Sequence, residues 1–184
     1  MRRATAVTGR LQRVSVIAVI LAAGAQPAAA QTETVERLSG LIGRWTGALT
    51  YLDYGDDETR FTLPTTLECM AQASGGGYWL RFSYTEPSGE VVTGQSAIRV
   101  ADEEGQIRFD GLWQIVDEHV SPSGVVRLVL ERRGTDNDRA SLIRQTIELG
   151  ETELVLKKEV RYHGTERTLV RNEYRLERVG PLDR

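Results

Sequence analysis

GRWTGALTYLDY, residues 43–54, opens on a glycine-x-tryptophan turn and runs on as a strand. Side chains alternate across a sheet with a period of two, so Trp45, Leu49 and Tyr51 share one face while Arg44, Thr46 and Thr50 share the other. A tryptophan at the mouth of such a strand needs an enclosed place for its indole. The rest of the chain supplies the expectation of what encloses it.

From residue 43 onward, short runs rich in Val, Ile, Leu, Thr and aromatics are broken by the turn signals YGDDE, SGGG, EPSG, ADEEG, SPSG, GTDND, LGET and YHGTE. In EPSG and SPSG a proline presets φ and a glycine closes the turn, which reads as a hairpin. The signals divide the chain into about nine strand segments, near 45–54, 61–72, 77–85, 90–101, 106–119, 125–133, 140–149, 152–162 and 166–178. Gly111 lies inside the longest and is placed to bend it into two, making ten. Consecutive strands joined by short turns form an antiparallel up-and-down sheet. So many strands in one small domain leave two open edges unless the sheet closes, and an all-β single antiparallel barrel of 9–10 strands is the expectation. Trp45 then plugs its closed end. Val35, Leu38 and Leu41, at helical spacing within Thr32–Leu41, predict a short helical lead-in to the first strand.

The first thirty residues are set apart from that domain. Arg2, Arg3, Arg10 and Arg13 precede an apolar run, Val14 to Ala23, and Ala28–Ala30 close it: the pattern of a secretory signal peptide. Residues 1–30 are read as the signal peptide and 31–184 as the barrel domain, with the mature chain in the periplasm or secreted. Cutting after Ala30 leaves 154 of the 184 residues, enough for one core. No later segment has the roughly 18 apolar residues of a membrane-spanning helix. Without the four leader arginines, 19 basic side chains face 26 acidic ones, a net charge of −7 that argues against nucleic acid as a partner. Cys69, the single cysteine, falls on an inward face and reads as a small buried apolar residue.

Strand parity sorts the remaining side chains. The inward faces collect Leu63 and Leu67; Tyr78, Leu80, Phe82 and Tyr84; Val92 and Ile98; Ile107, Phe109, Trp113 and Ile115; and, from the later strands, Leu156, Val160, Val170, Tyr174 and Leu176. The outward faces carry Arg81, Arg99, Arg108, Arg144, Lys157, Arg171 and Arg175. Two polar residues break the inward pattern, Lys158 between Leu156 and Val160 and Asn172 between Val170 and Tyr174. A lysine there either pairs inside, Asp53 being a partner of matching parity, or meets the anionic group of a ligand. Tyr51, Tyr78, Tyr84, Tyr174, Phe82 and Trp113 are either plain core or, with Lys158 and Asn172, the lining of a cavity for an apolar or amphipathic small molecule.

Catalytic and metal signals are sparse. His119 and His163 fall at turns without a second ligand at metal spacing, and no cofactor motif is present. Asp53, Asp56, Asp57 and Glu58, like Asp136-Asn137-Asp138, read as solvated turn chemistry. An enzyme would need a perturbed titratable group inside, for which Lys158 is the candidate.

Taken together, the helical lead-in, Gly43-Arg44-Trp45, the hairpin series and the arginine-rich last strand RNEYRLERV resemble the calycins, the lipocalin and fatty-acid-binding-protein class. The chain is also similar to small exported bacterial lipocalin-like proteins of unknown function. The resemblance implies that the indole of Trp45 packs beneath an arginine from the C-terminal part, with Arg178 the choice by parity over Arg175. It implies a binding protein for a small ligand; an envelope structural or interaction module with a filled barrel is the alternative. Two departures limit it: paired cysteines are missing, and Arg171 and Tyr174 stand three apart rather than as the Arg-x-Tyr pair that holds fatty-acid carboxylates.

Overall fold

The computed structural model describes residues 27–73 and 75–181. The leader reading falls mainly on residues 1–26, which lie outside these, and the expected cleavage point after Ala30 falls within the first helix. That helix, α1 (Pro27–Arg37), runs into a 3₁₀ turn (Leu38–Leu41). Ten strands follow: β1 (Gly43–Leu52), β2 (Arg60–Ala71), β3 (Gly77–Thr85), β4 (Val91–Val100), β5 (Gln106–Phe109), β6 (Leu112–Val120), β7 (Val126–Asp136), β8 (Arg139–Leu149), β9 (Glu153–Tyr162) and β10 (Thr168–Gly180). Each pairs antiparallel with its successor, and β1 pairs with β10, so the sheet is one closed up-and-down barrel. No helix among the described residues is long and apolar enough to cross a membrane.

Gly111 divides the long fifth segment as expected, at φ +134° beside Asp110 at φ +49°. An L side chain is rarely comfortable at either value, and aspartate tolerates the left-handed region better than most. Closure between β1 and β10 depends on Gly47, where an added Cβ would come within 2.1 Å of the Arg175 carbonyl oxygen.

The inward faces build one core of Trp45, Leu67, Leu80, Ile98, Leu128 and Ile147 with their neighbours. Val35, Leu38 and Leu41 are buried and close the barrel at the Trp45 end. Thr34 and Arg37 of α1 bond the Glu118 carboxylate of β6, each at 2.6 Å, which fixes the lead-in across that end. Cys69 is fully buried, and desolvation pushes its thiol up to about 12.

Four expectations are corrected. Val92, read as inward, is exposed, because β5 pairs with β4 only at Ile98, Arg99 and Val100 and leaves the start of β4 an uncovered edge. β7 runs three residues beyond its expected end at 133, so Asp136 is a buried strand residue; the two-residue turn is Asn137-Asp138, both at positive φ as a tight hairpin requires. Arg171, read as outward, is inside: the β9–β10 register slips between Val170 and Asn172, and the extra residue of that bulge turns inward. His119 is the penultimate residue of β6 rather than lying in a turn, and both histidines are exposed.

Candidate functional site

Between the Trp45 end and the opposite mouth lies an interior cavity of about 290 Å³. Its walls are Phe82 and Tyr84 of β3, Phe109 of β5, Leu156 of β9 and Tyr174 of β10, with the carboxamides of Gln145 and Asn172. Its rim is Gly94, Gln95 and Ser96 of β4 and Asp110 in the β5–β6 turn. This is the seam where β4 lacks a partner, so the cavity reaches the surface sideways, through the wall. Larger hollows of about 460 and 560 Å³ lie outside the barrel, over the β7–β9 turns and over β6 and β7. They lie on the outer surface, the larger one lined by Leu112, Trp113, Val116 and Leu142 among charged residues, whereas the seam cavity is built mainly from inward faces.

The aromatic side of the cavity is preorganised. Phe82 and Tyr84 lie parallel at 6.2 Å between centroids, Tyr174 leans on Phe82 at 5.0 Å, and the Tyr84 and Tyr174 hydroxyls are 3.0 Å apart. Burial raises both phenols above their ordinary value, so they stay protonated and can donate or accept hydrogen bonds.

Asp110 is held from three sides. Ser96 donates to its carboxylate, Arg132 donates to its carbonyl at 3.2 Å, and Trp113 spans the turn by donating to the Phe109 carbonyl at 2.6 Å. Arg132 also lies 4.3 Å from the Trp113 ring centre. Trp113 therefore braces the turn instead of lining the cavity.

Above the cavity, at the mouth opposite Trp45, sits a buried ionic cluster. Asp136 accepts from Lys158 at 2.8 Å and from Arg171 Nε at 3.0 Å, and Tyr162 donates to it at 3.3 Å. Arg171, 1% exposed, also donates to the Tyr162 hydroxyl at 2.5 Å and lies 2.8 Å from Asp57, an ion pair without hydrogen-bond alignment. Its guanidinium covers the Tyr54 ring at 4.3 Å, so Tyr54 and Asp57 bring the 53–59 loop over the mouth. Burial by itself would raise the Asp136 carboxyl; Lys158 and Arg171 outweigh it and hold the group below the usual carboxylate range. Arg139 also lies 3.9 Å from Asp57 and covers the Tyr162 ring at 3.5 Å, so three cations meet two anions at the mouth.

At the closed end, Trp45 is 1% exposed and donates its indole N–H to the Leu41 carbonyl at 2.8 Å. Arg178 pairs with it across β1–β10 and lies 4.1 Å from its ring centre. The same guanidinium donates to the carbonyls of Glu151 at 2.7 Å, Ile42 at 2.9 Å and Gly40.

The expected site residues thus divide. Phe82, Tyr84, Asn172 and Tyr174 meet in the cavity. Tyr51 packs on Phe61 at 5.5 Å, Tyr78 is buried beside Cys69 at the closed end, and Lys158 takes Asp136 as partner rather than Asp53. Gln145 and Asp110 were not singled out by the sequence, and Arg171 and Asp136 were read there as an outward and a turn residue. Gln145 shares parity with Ile143 and Ile147, the same signal that marked Lys158 and Asn172. Asp56 caps its own loop, accepting the Glu58 and Thr59 N–H groups, and no cluster of three metal-ligating side chains exists among the described residues. Comparison with protein-family models returned no match, and no curated protein matches the chain.

Proposed function

We propose that this chain is an exported, calycin-like barrel that holds a small amphipathic molecule in the cavity behind the β4–β5 seam. The reading rests on one observation: an interior space of about 290 Å³, walled by packed rings and edged by polar groups, reached through a gap in an otherwise closed sheet. Ligand pockets are concave and mostly apolar, with a few placed polar groups, and span about 300–1,000 Å³. This cavity lies at the lower edge of that range and is more polar than most, with Gln95, Ser96, Asp110, Gln145 and Asn172 beside the rings, which suits a small amphipathic ligand. The leader-like residues 1–30 support export.

Native mass spectrometry of protein purified from its own envelope tests the reading. A co-purifying small mass is expected, and Gly94→Leu should remove it, because a side chain at Gly94 points at the Tyr84 ring 3.8 Å away. Bare protein in repeated preparations would count against it. A second reading, an envelope interaction module, draws on exposed Leu112 and Val116 beside the outer groove of about 560 Å³. It expects a co-purifying protein instead, lost on Leu112→Ser with Val116→Ser.

A further inference from the structure

The seam cavity carries information about charge. Its lining includes no lysine, arginine or histidine, and its only formally charged member is Asp110. Of the cations around it, Lys158 and Arg171 are engaged by Asp136 and Asp57, while Arg132 lies over the Trp113 ring and donates to the Asp110 carbonyl at 3.2 Å. The opposite wall offers the faces of Phe82, Tyr84 and Tyr174, within 6.3 Å of one another. Aromatic faces carry negative potential and attract a cation lying over them within about 6 Å. The carboxamide oxygens of Gln145 and Asn172 and the two phenol oxygens add neutral acceptors.

The placement of Asp110 strengthens the case. A left-handed backbone, φ +49°, is held there by Arg132, Ser96 and the Trp113 brace, and Gly111 beside it adopts φ +134°. Strain of this kind persists where surrounding structure fixes it, and such positions concentrate at ligand sites. Here it sets a carboxylate at the rim of an aromatic chamber.

We infer that the cavity selects a small organic cation, an alkyl- or arylammonium, whose charge faces Asp110 and whose apolar part rests on Phe82, Tyr84 and Tyr174. The inference rests on the ligand-binding reading above and adds the class of ligand. An anion of the same shape meets the Asp110 carboxylate at the rim and no lysine, arginine or histidine in the lining.

Titration of the full chain at pH 7 with three probes of one shape, 2-phenylethylammonium, phenylacetamide and phenylacetate, followed by NMR of the aromatic resonances, tests it. The ammonium should bind about tenfold more tightly than the acetate, with the amide between them, and Asp110→Asn should erase the advantage of ammonium over amide. Acetate binding as tightly as ammonium in the unmodified protein, a ranking that needs no variant, would overturn the inference. An unchanged ammonium-to-amide ratio in a folded Asp110→Asn protein would overturn it too. Failure of all three probes beside a co-purifying mass in native spectra removes the cation assignment and leaves ligand binding standing; failure of both removes the two together.

Discussion

Asp136→Asn changes one oxygen for an amide and takes the anion out of the mouth cluster. In the folded chain Asp136 is contacted by Lys158 at 2.8 Å and by Arg171 Nη2 at 2.9 Å, with Arg171 and the Asp136 side chain each 1% exposed. Breaking a buried pair by removing one partner costs about 3–5 kcal/mol, since the remaining charge is stranded in a medium that solvates it poorly. The lower end applies: Arg171 keeps Asp57, and the Lys158 side chain, 21% exposed, regains some water. About 3 kcal/mol corresponds to a Tm lowered by roughly 6–12 °C in a domain of this size. The cost should shrink by at least about 1 kcal/mol in an Arg171→Met background, where no buried guanidinium loses one of its two carboxylates.

The pH dependence has a definite sign. A carboxyl whose folded pKa is depressed stabilises the protein fully above its unfolded value, about 4, and that contribution disappears as pH falls through the lower folded value. Parent and Asp136→Asn melting curves should therefore converge below about pH 4. Thermal and urea unfolding of the four proteins of the cycle measure all of this. A Tm change under about 2 °C, or an identical cost in both backgrounds, would refute the assignment of Asp136 as the anion that holds this cluster.

Three further outcomes follow from single positions. Arg178→Met removes the charge over Trp45 and three carbonyl contacts, and should cost about 2–3 kcal/mol with a change in tryptophan emission, read by fluorescence-monitored unfolding. Gly47→Ala places a methyl 2.1 Å from the Arg175 carbonyl oxygen and should disrupt the β1–β10 ladder, seen as lost amide protection in both strands by hydrogen exchange. Cys69, buried with its thiol pushed up to about 12, should resist maleimide at pH 7 in the folded state and react on unfolding, as mass spectrometry would register.

The barrel was legible because its signals are local. Alternation with period two, proline-glycine turns and Gly111 each act within a few residues, and together they set strand number, order and nearly every inward face, including Trp45, Phe82, Tyr84 and Tyr174. Closure followed from the cost of leaving two sheet edges unpaired. Arg171 and Asp136 were misread for the opposite reason. One inserted residue at Val170–Asn172 reverses the direction of a side chain without leaving a mark in the pattern, and the partner that makes a buried guanidinium tolerable stands 35 residues away. The short β4–β5 ladder, which opens the cavity, depends likewise on how β5 meets its neighbours. Periodicity in the chain determined which residues share a face; register and bulges, settled only when distant strands meet, decided which charges lie inside and where the wall has a gap.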